Sequence, residues 1–305
     1  MVALNPELLL EAEISADYPK HPRVLDAVRL AIRPGEIVGL IGESGSGKST
    51  LALALMRLIE FRGGTVRGSI RFAGRELMDC SGDDMRRIRG REISLVFQSP
   101  ISALNPALRI ETQLREAWLA HSRERWKTAR PEVETLLERM GLPGQAGLLR
   151  RYPRQLSVGQ AQRVAIAMSI LHRPRLLIAD EVTSALDPAS RGGILDLFER
   201  LNAELGISVL YISHDLASVA RLCRTVGVLE SGRLAVSGPA RTMLQEFQQG
   251  SLETGRIFQV GKVCGRQTAH DGPWDSGGKN FAVAGPRSGL VLVAGDDQGR
   301  HADSF

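Results

Sequence analysis

The chain has 305 residues, 43% of them hydrophobic, with a formal net charge of +5, which excludes a disordered or fibrous chain and allows one or two buried cores. No apolar run approaches the roughly 18–20 residues that cross a bilayer, and the N-terminus lacks a secretory leader's basic head and apolar core, so a cytoplasmic protein is expected. Cys80, Cys223 and Cys264 are scattered without paired spacing, which argues against a disulfide frame or a cysteine metal site.

Leu8 to Tyr18 reads as a strand ending in a turn, with Pro19 and Pro22 as breakers. Tyr18 at its end can stack on a purine face, although a half-buried strand-end tyrosine fits the sequence nearly as well. Val24 to Ile32 alternates as a second strand, and Arg33-Pro34-Gly35 turns into the buried strand Ile37 to Ile41. Then comes Gly42-Glu43-Ser44-Gly45-Ser46-Gly47-Lys48-Ser49-Thr50, followed by an apolar helical run from Leu51 to Leu58. Strand, glycine loop, Lys-Ser and helix together make a P-loop. Its glycines let backbone N–H groups close on a polyphosphate, and the helix adds the positive end of its dipole. Lys48 is placed to reach the β- and γ-phosphates, and the Ser49 hydroxyl to ligate Mg²⁺.

Gly68 to Gly74 and Ile93 to Phe97 read as strands flanking a basic helix around Asp83 to Arg89. Gln98 stands at the second strand's end, where a glutamine beside phosphates can ligate Mg²⁺ and orient a water; a plain polar strand end is the commoner case. From about Ala107 to Leu171 the apolar spacing is helical, over Ile110 to His121, Arg130 to Met140 and Ala161 to Leu171, and a separate helical lobe is expected. Gly141-Leu142-Pro143-Gly144 reads as a helix stop. Leu156-Ser157-Val158-Gly159-Gln160 opens the last helix, either as an ordinary N-cap or as a second anion site. The basic runs Arg86 to Arg91 and Arg150 to Arg154 lack the spaced aromatics of a base-stacking platform, so a solvated or lipid-facing surface is expected before nucleic-acid binding.

Leu176 to Ala179 is a buried strand delivering Asp180 and Glu181. With a P-loop upstream, Asp180 can hold the metal's water shell and Glu181 can polarise an attacking water. Ser184 to Pro188 leads into a helix to about Leu205, and Ser208 to Ser213 is another buried strand with His214 and Asp215 at its tip, where His214 can contact a γ-phosphate. Thr225 to Glu230 and Arg233 to Val236 close the pattern through a Ser231-Gly232 hairpin turn. From about Gln248 the composition shifts to Gly, Ser, Asp and Gln; Phe281 to Val283 and Leu290 to Val293 read as short strands in a segment expected to be poorly ordered.

Gly42 to Ser49, Gln98, Leu156 to Gln160, Asp180-Glu181, Asp187 and His214 occur in an order that resembles the nucleotide-binding domain of ABC ATPases, over about residues 7 to 245. The resemblance implies an α/β P-loop core with an antiparallel β subdomain and a helical subdomain at about 99–172. It implies an ATPase domain over 1–247, a tail over 248–305, and ATP and Mg²⁺ as cofactors. Two copies, identical or paralogous, would pair head to tail. Each site would take Tyr18, Lys48, Ser49, Gln98, Asp180, Glu181 and His214 from one copy, and Ser157, Gly159 and Gln160 from the other, with Asp187 at the interface. Transmembrane permease subunits, and indirectly a solute-binding protein, would be partners at the cytoplasmic face of the membrane; no nucleic acid is expected. Phe97 to Pro106 and Ala179 to Asp187 resemble the importers of dipeptides, oligopeptides and nickel. A soluble ABC ATPase of DNA or ribosomes is the alternative, opposed by the single motif set; a regulatory domain with weakened hydrolysis is another. Val158 stands where the family usually has glycine, and Val182 where it usually has proline. The tail lacks the subgroup's His-Pro-Tyr-Thr segment and does not support that narrower match.

Overall fold

The computed structural model describes residues 8–142, 145–248, 281–284 and 291–294. The strands are β1 (Leu10–Tyr18), β2 (His21–Ile32), β3 (Ile37–Ile41), β4 (Thr65–Phe72), β5 (Arg75–Glu76), β6 (Ile93–Val96), β7 (Leu176–Asp180), β8 (Ser208–Ile212), β9 (Thr225–Glu230), β10 (Arg233–Pro239), β11 (Phe281–Ala284) and β12 (Val291–Ala294). The helices are α1 (Lys48–Leu55), α2 (Gly82–Ile88), α3 (Pro100–Ala103), α4 (Ile110–Leu119), α5 (Trp126–Arg139), α6 (Gln145–Leu149), α7 (Val158–Ile170), α8 (Pro188–Leu205), α9 (Leu216–Leu222) and α10 (Ala240–Gln248).

Two sheets organise the molecule. The first is antiparallel with strand order β2-β1-β4-β5, and the second runs β10-β9-β3-β8-β7-β6. In the second sheet β9, β3, β8, β7 and β6 are parallel neighbours, and β10 closes the edge antiparallel to β9. Parallel central strands must bury both faces, and the residues divide accordingly. Ile37, Ile41, Leu177, Ala179, Val209 and Tyr211 belong to a core shared with α4, α5, α7 and α8. Their alternating neighbours Val38, Leu40, Leu176, Ile178, Leu210 and Ile212 join a second core with α1 and the antiparallel sheet.

The core of the helices between Pro100 and Ile170 is continuous with that of the sheet: Leu114, Trp118, Leu137 and Ile166 lie in the cluster that includes β7 and β8. Pro22 does not break the chain as expected. It sits at the start of β2, the edge strand of its sheet, where a missing N–H donor costs little. The strand expected from Gly68 begins earlier, at Thr65, and the first apolar helix ends at Leu55, with Ile59–Arg62 forming a 3₁₀ turn after it. The tail pairs β11 with β12; the rest of the segment from 249, and Pro143-Gly144 of the expected helix stop, lie outside the described residues.

Candidate nucleotide site

Parallel pairing puts the functional loops at one edge. Leu40 of β3 pairs with Ile212 of β8, Asp180 of β7 pairs with the same Ile212, and Val96 of β6 pairs with Ala179. The residues that follow these strands, Gly42, His214, Glu181 and Gln98, thus emerge side by side. Ligands of open α/β sheets bind at such carboxyl ends.

Gly42 packs where no side chain fits, because a Cβ there would stand 2.2 Å from the Leu229 carbonyl oxygen. Gly47 caps α1 with φ of +105°, a conformation that favours glycine. Between them Glu43, Ser44 and Gly45 are exposed, and Ser46 is buried. Lys48 is only 6% exposed, and its ammonium donates to the carbonyls of Gly42 at 2.9 Å and Glu43 at 2.7 Å. Burial pulls its pKa down, while Glu181, Asp180 and Glu43 favour its charge. Tyr18 is half-buried and packs against the core that includes Leu51 and Ala52 of α1.

Asp180 ends β7 with 7% exposure. Burial raises its pKa to about 6, against a hydrogen bond with the Ser49 side chain. Its Oδ1 is buried without a partner. A hydroxyl, a neighbouring carboxylate and an orphaned anionic oxygen are the hard-oxygen donors Mg²⁺ takes when phosphates complete its shell. Among the described residues no cluster of three His, Cys, Asp or Glu could hold a metal by itself.

Glu181 is held between two partners. The Gln98 Nε2 donates to its Oε2 at 3.0 Å, and the His214 Nδ1 lies 3.3 Å from its Oε1. The His214 bond holds the Glu181 carboxyl below the usual range, and the same bond raises the His214 imidazole. The backbone is unusual as well: Glu181 has φ of +48°, and its N–H donates to the Ile212 carbonyl at 2.9 Å. A non-glycine residue held there is a strained position of the kind that clusters at functional sites.

Ser157, Gly159 and Gln160 form a second group. Ser157 caps α7: its Oγ accepts from the Gln160 N–H at 3.2 Å, and the Gln160 Oε1 accepts from the Ser157 N–H at 3.1 Å. Gly159 faces Ser190 of α8. Among the described residues no hydrogen bond or ion pair joins this group to the P-loop. Val158 is helical, with no positive φ, and is 38% exposed, so the backbone here does not demand glycine. Val182 is 1% exposed and part of the core. Asp187 caps α8 by accepting from the Ser190 N–H at 2.9 Å. The pair that sequence reading missed is Arg191 and Asp215, 2.9 Å apart and linking α8 to the loop that carries His214. Asp215 as an N-cap before Leu216 was the available signal.

A family model described as ABC transporter matches residues 25–184. The chain belongs to the ABC transporter family. It carries that family's ATP-binding and hydrolysing unit. A Brucella abortus (strain 2308) relative named as a peptide import ATP-binding protein is 40% identical over 249 residues, 80% of this chain and 75% of the relative. The dipeptide transport ATP-binding protein DppD of Escherichia coli is 38% identical over 221 residues, 72% of this chain and 68% of DppD. Among solved structures, cbiO1 of Clostridium perfringens, part of an ABC transporter complex, matches with a TM-score of 0.68 at 26% identity, covering 81% of this ABC chain and 96% of its own. A dimeric ATP-binding cassette in a post-hydrolysis state with ADP and Pi matches with a TM-score of 0.65 at 27% identity, covering 76% and 99%. Among the described residues of this ATPase no helix is long and apolar enough to cross a membrane.

Proposed function

We propose that this ATPase energises a membrane importer of peptides, and that Glu181 is the base that prepares water for attack on the γ-phosphate. The observation that carries the catalytic part is Glu181 fixed between Gln98 and His214, beside Lys48 and Asp180. The peptide assignment rests on the relatives' names and on Phe97 to Pro106; no observation favours nickel.

In this reading the P-loop backbone from Gly42 to Thr50 binds the phosphates, and Lys48 turns from the Gly42 and Glu43 carbonyls toward the β- and γ-oxygens. Tyr18 stacks on the adenine. Ser49, Asp180 and Gln98 would hold Mg²⁺, which would supply neutralisation of the phosphates' charge. Glu181 accepts the water's proton. Gln98 and His214 hold its carboxylate in place, and the raised imidazole offers a charged donor near the γ-phosphate.

The Ser157–Gln160 group completes the site of a second ATPase copy, with Asp187 near the contact. This explains why the group stands apart from its own P-loop. Residues 1–247 are the catalytic unit, with a helical subdomain at about 99–172 facing the permease subunits, and the chain sits peripherally at the cytoplasmic membrane face. Co-purification tests this. Tagged Glu181→Gln, trapped with ATP in its native cells, is expected to bring down two polytopic membrane proteins, a second ATPase and, nearby, a peptide-binding protein. Soluble ribosomal or DNA-bound partners alone would overturn the importer reading.

A further inference from the structure

We propose that Arg191 and Asp215 form a positioning pair that sets where His214 stands against Glu181; this rests on the catalytic reading of Glu181 given above. The His214 side chain is 57% exposed, and among the described residues its one ionic partner is Glu181. Its place is set by the backbone on either side.

On one side Ser213 donates its N–H to the Leu40 carbonyl at 3.1 Å, which ties it to the P-loop strand. On the other side Asp215 gathers five bonds, one of them its carbonyl accepting from the Val219 N–H at 3.2 Å. Its N–H donates to the Ser213 Oγ at 3.0 Å, its Oδ1 accepts from the Ala217 N–H at 3.1 Å, and its Oδ2 accepts from the Ser218 hydroxyl at 2.5 Å and from Arg191 at 2.9 Å. Only the Arg191 bond reaches another element. Arg191 lies one turn into α8, and its N–H donates to the Asp187 carbonyl at 2.9 Å. That helix starts directly after the Glu181–Leu186 turn.

The two loops are therefore joined at both ends. Near the sheet, the Glu181 N–H bonds Ile212, and the hydroxyls of Thr183 and Tyr211 meet at 3.0 Å in the core. Away from the sheet, the guanidinium–carboxylate pair closes the bracket. The pair is well placed to hold. Its side chains are 35% and 25% exposed, so it is shielded more than a surface pair, and the bond is charge-assisted. The bond runs from the Arg191 Nη1 to the Asp215 Oδ2, and the Arg191 Nε is buried, which places the guanidinium partly inside the fold. Loosening the bracket lets His214 drift from Glu181, and displacements of about 1 Å at a reacting group cost rate far more than binding. Among the described residues no hydrogen bond or ion pair joins the pair to Lys48, so the rate is expected to fall much more than ATP affinity.

The test compares full-length wild type, Arg191→Gln, Arg191→Lys, Asp215→Asn, the Arg191→Gln/Asp215→Asn double variant and Glu181→Gln. Single-turnover ATP hydrolysis, ATP affinity and the His214 ring resonances are read for each. Arg191→Gln is expected to slow hydrolysis about tenfold with ATP affinity within about twofold of wild type, and to shift the His214 resonances. Asp215→Asn should slow it similarly, the double variant should be no slower than either, and Arg191→Lys should recover part of the rate. Wild-type turnover in Arg191→Gln or in Asp215→Asn would overturn the proposal. So would ATP affinity falling in step with the rate, or no recovery with lysine. If Glu181→Gln is inactive while Arg191→Gln is wild type, the pair alone is misassigned. If Glu181→Gln hydrolyses normally, the catalytic reading itself fails.

Discussion

Asp180 is the residue at which stability and function oppose each other most directly. Its pKa rises from 3.8 to about 6 because burial penalises the carboxylate more than Ser49 and Lys48 support it. A raised acid pKa means the folded state holds the proton more tightly. The native state therefore has its full advantage below about pH 4 and loses it as pH climbs through 6. Asp180→Asn removes the ionisable group. In the nucleotide-free protein the variant should match wild type near pH 4 and exceed it by up to about 3 kcal/mol above pH 6. Denaturant melts at both pH values measure this, and a pH-independent difference would contradict it. Glu181 and His214 make a second pair of predictions. The imidazole is raised by the Glu181 bond, so its stabilising contribution is present below the ordinary histidine range and lost as pH passes the raised value. In Glu181→Gln the His214 titration followed by NMR should move down. The chemistry of these residues was legible in the sequence, because an apolar strand ending in Asp-Glu after a P-loop has few other uses. What was not legible is conformational. The positive φ of Glu181 and the Lys48 ammonium folded on its own loop depend on neighbours supplied by β8 and the tertiary fold.

At the scale of elements, α7 carries the clearest consequence. Ser157 and Gln160 cap each other reciprocally, so Ser157→Ala should cost about 1 kcal/mol, measured by denaturant unfolding. Val158 sits inside the first helical turn in ordinary helical geometry. Val158→Gly should therefore change stability by only a few tenths of a kcal/mol and keep or raise ATP turnover; a clear loss of turnover would place Val158 in the working site. Long, strongly patterned elements were readable: β3, β7 and β8 as unbroken apolar runs, and α4, α5 and α7 by helical spacing. Of the short ones, α2 and β6 were readable and β5, α9 and α10 were not. β5 has two residues, α9 has seven, and α10 follows β10 without a break. Pro22 misled because a breaker in a central strand is harmless at an edge, and edge position is a property of the sheet. The helical lobe read as separate because its spacing is uninterrupted, yet α7 carries Ile166 and Ala167 into the sheet's own core.

For the whole molecule, the chain holds the two halves of its chemistry apart. One group centres on Lys48, Asp180 and Glu181; the other, from Ser157 to Gln160, opens α7 and faces Ser190, and among the described residues no hydrogen bond joins it to the first group. The order of motifs in the sequence gives this separation only through the family resemblance, since spacing alone does not say which motifs meet in one chain. In the proposed function a second copy completes the site, and ATP-dependent self-association measured by sedimentation should then accompany binding. The central claim is that Glu181 activates water. Its most direct test is ATP turnover by Glu181→Gln at saturating ATP and Mg²⁺, beside wild type. We predict intact ATP binding with turnover slowed about a hundredfold or more; turnover equal to wild type would contradict it.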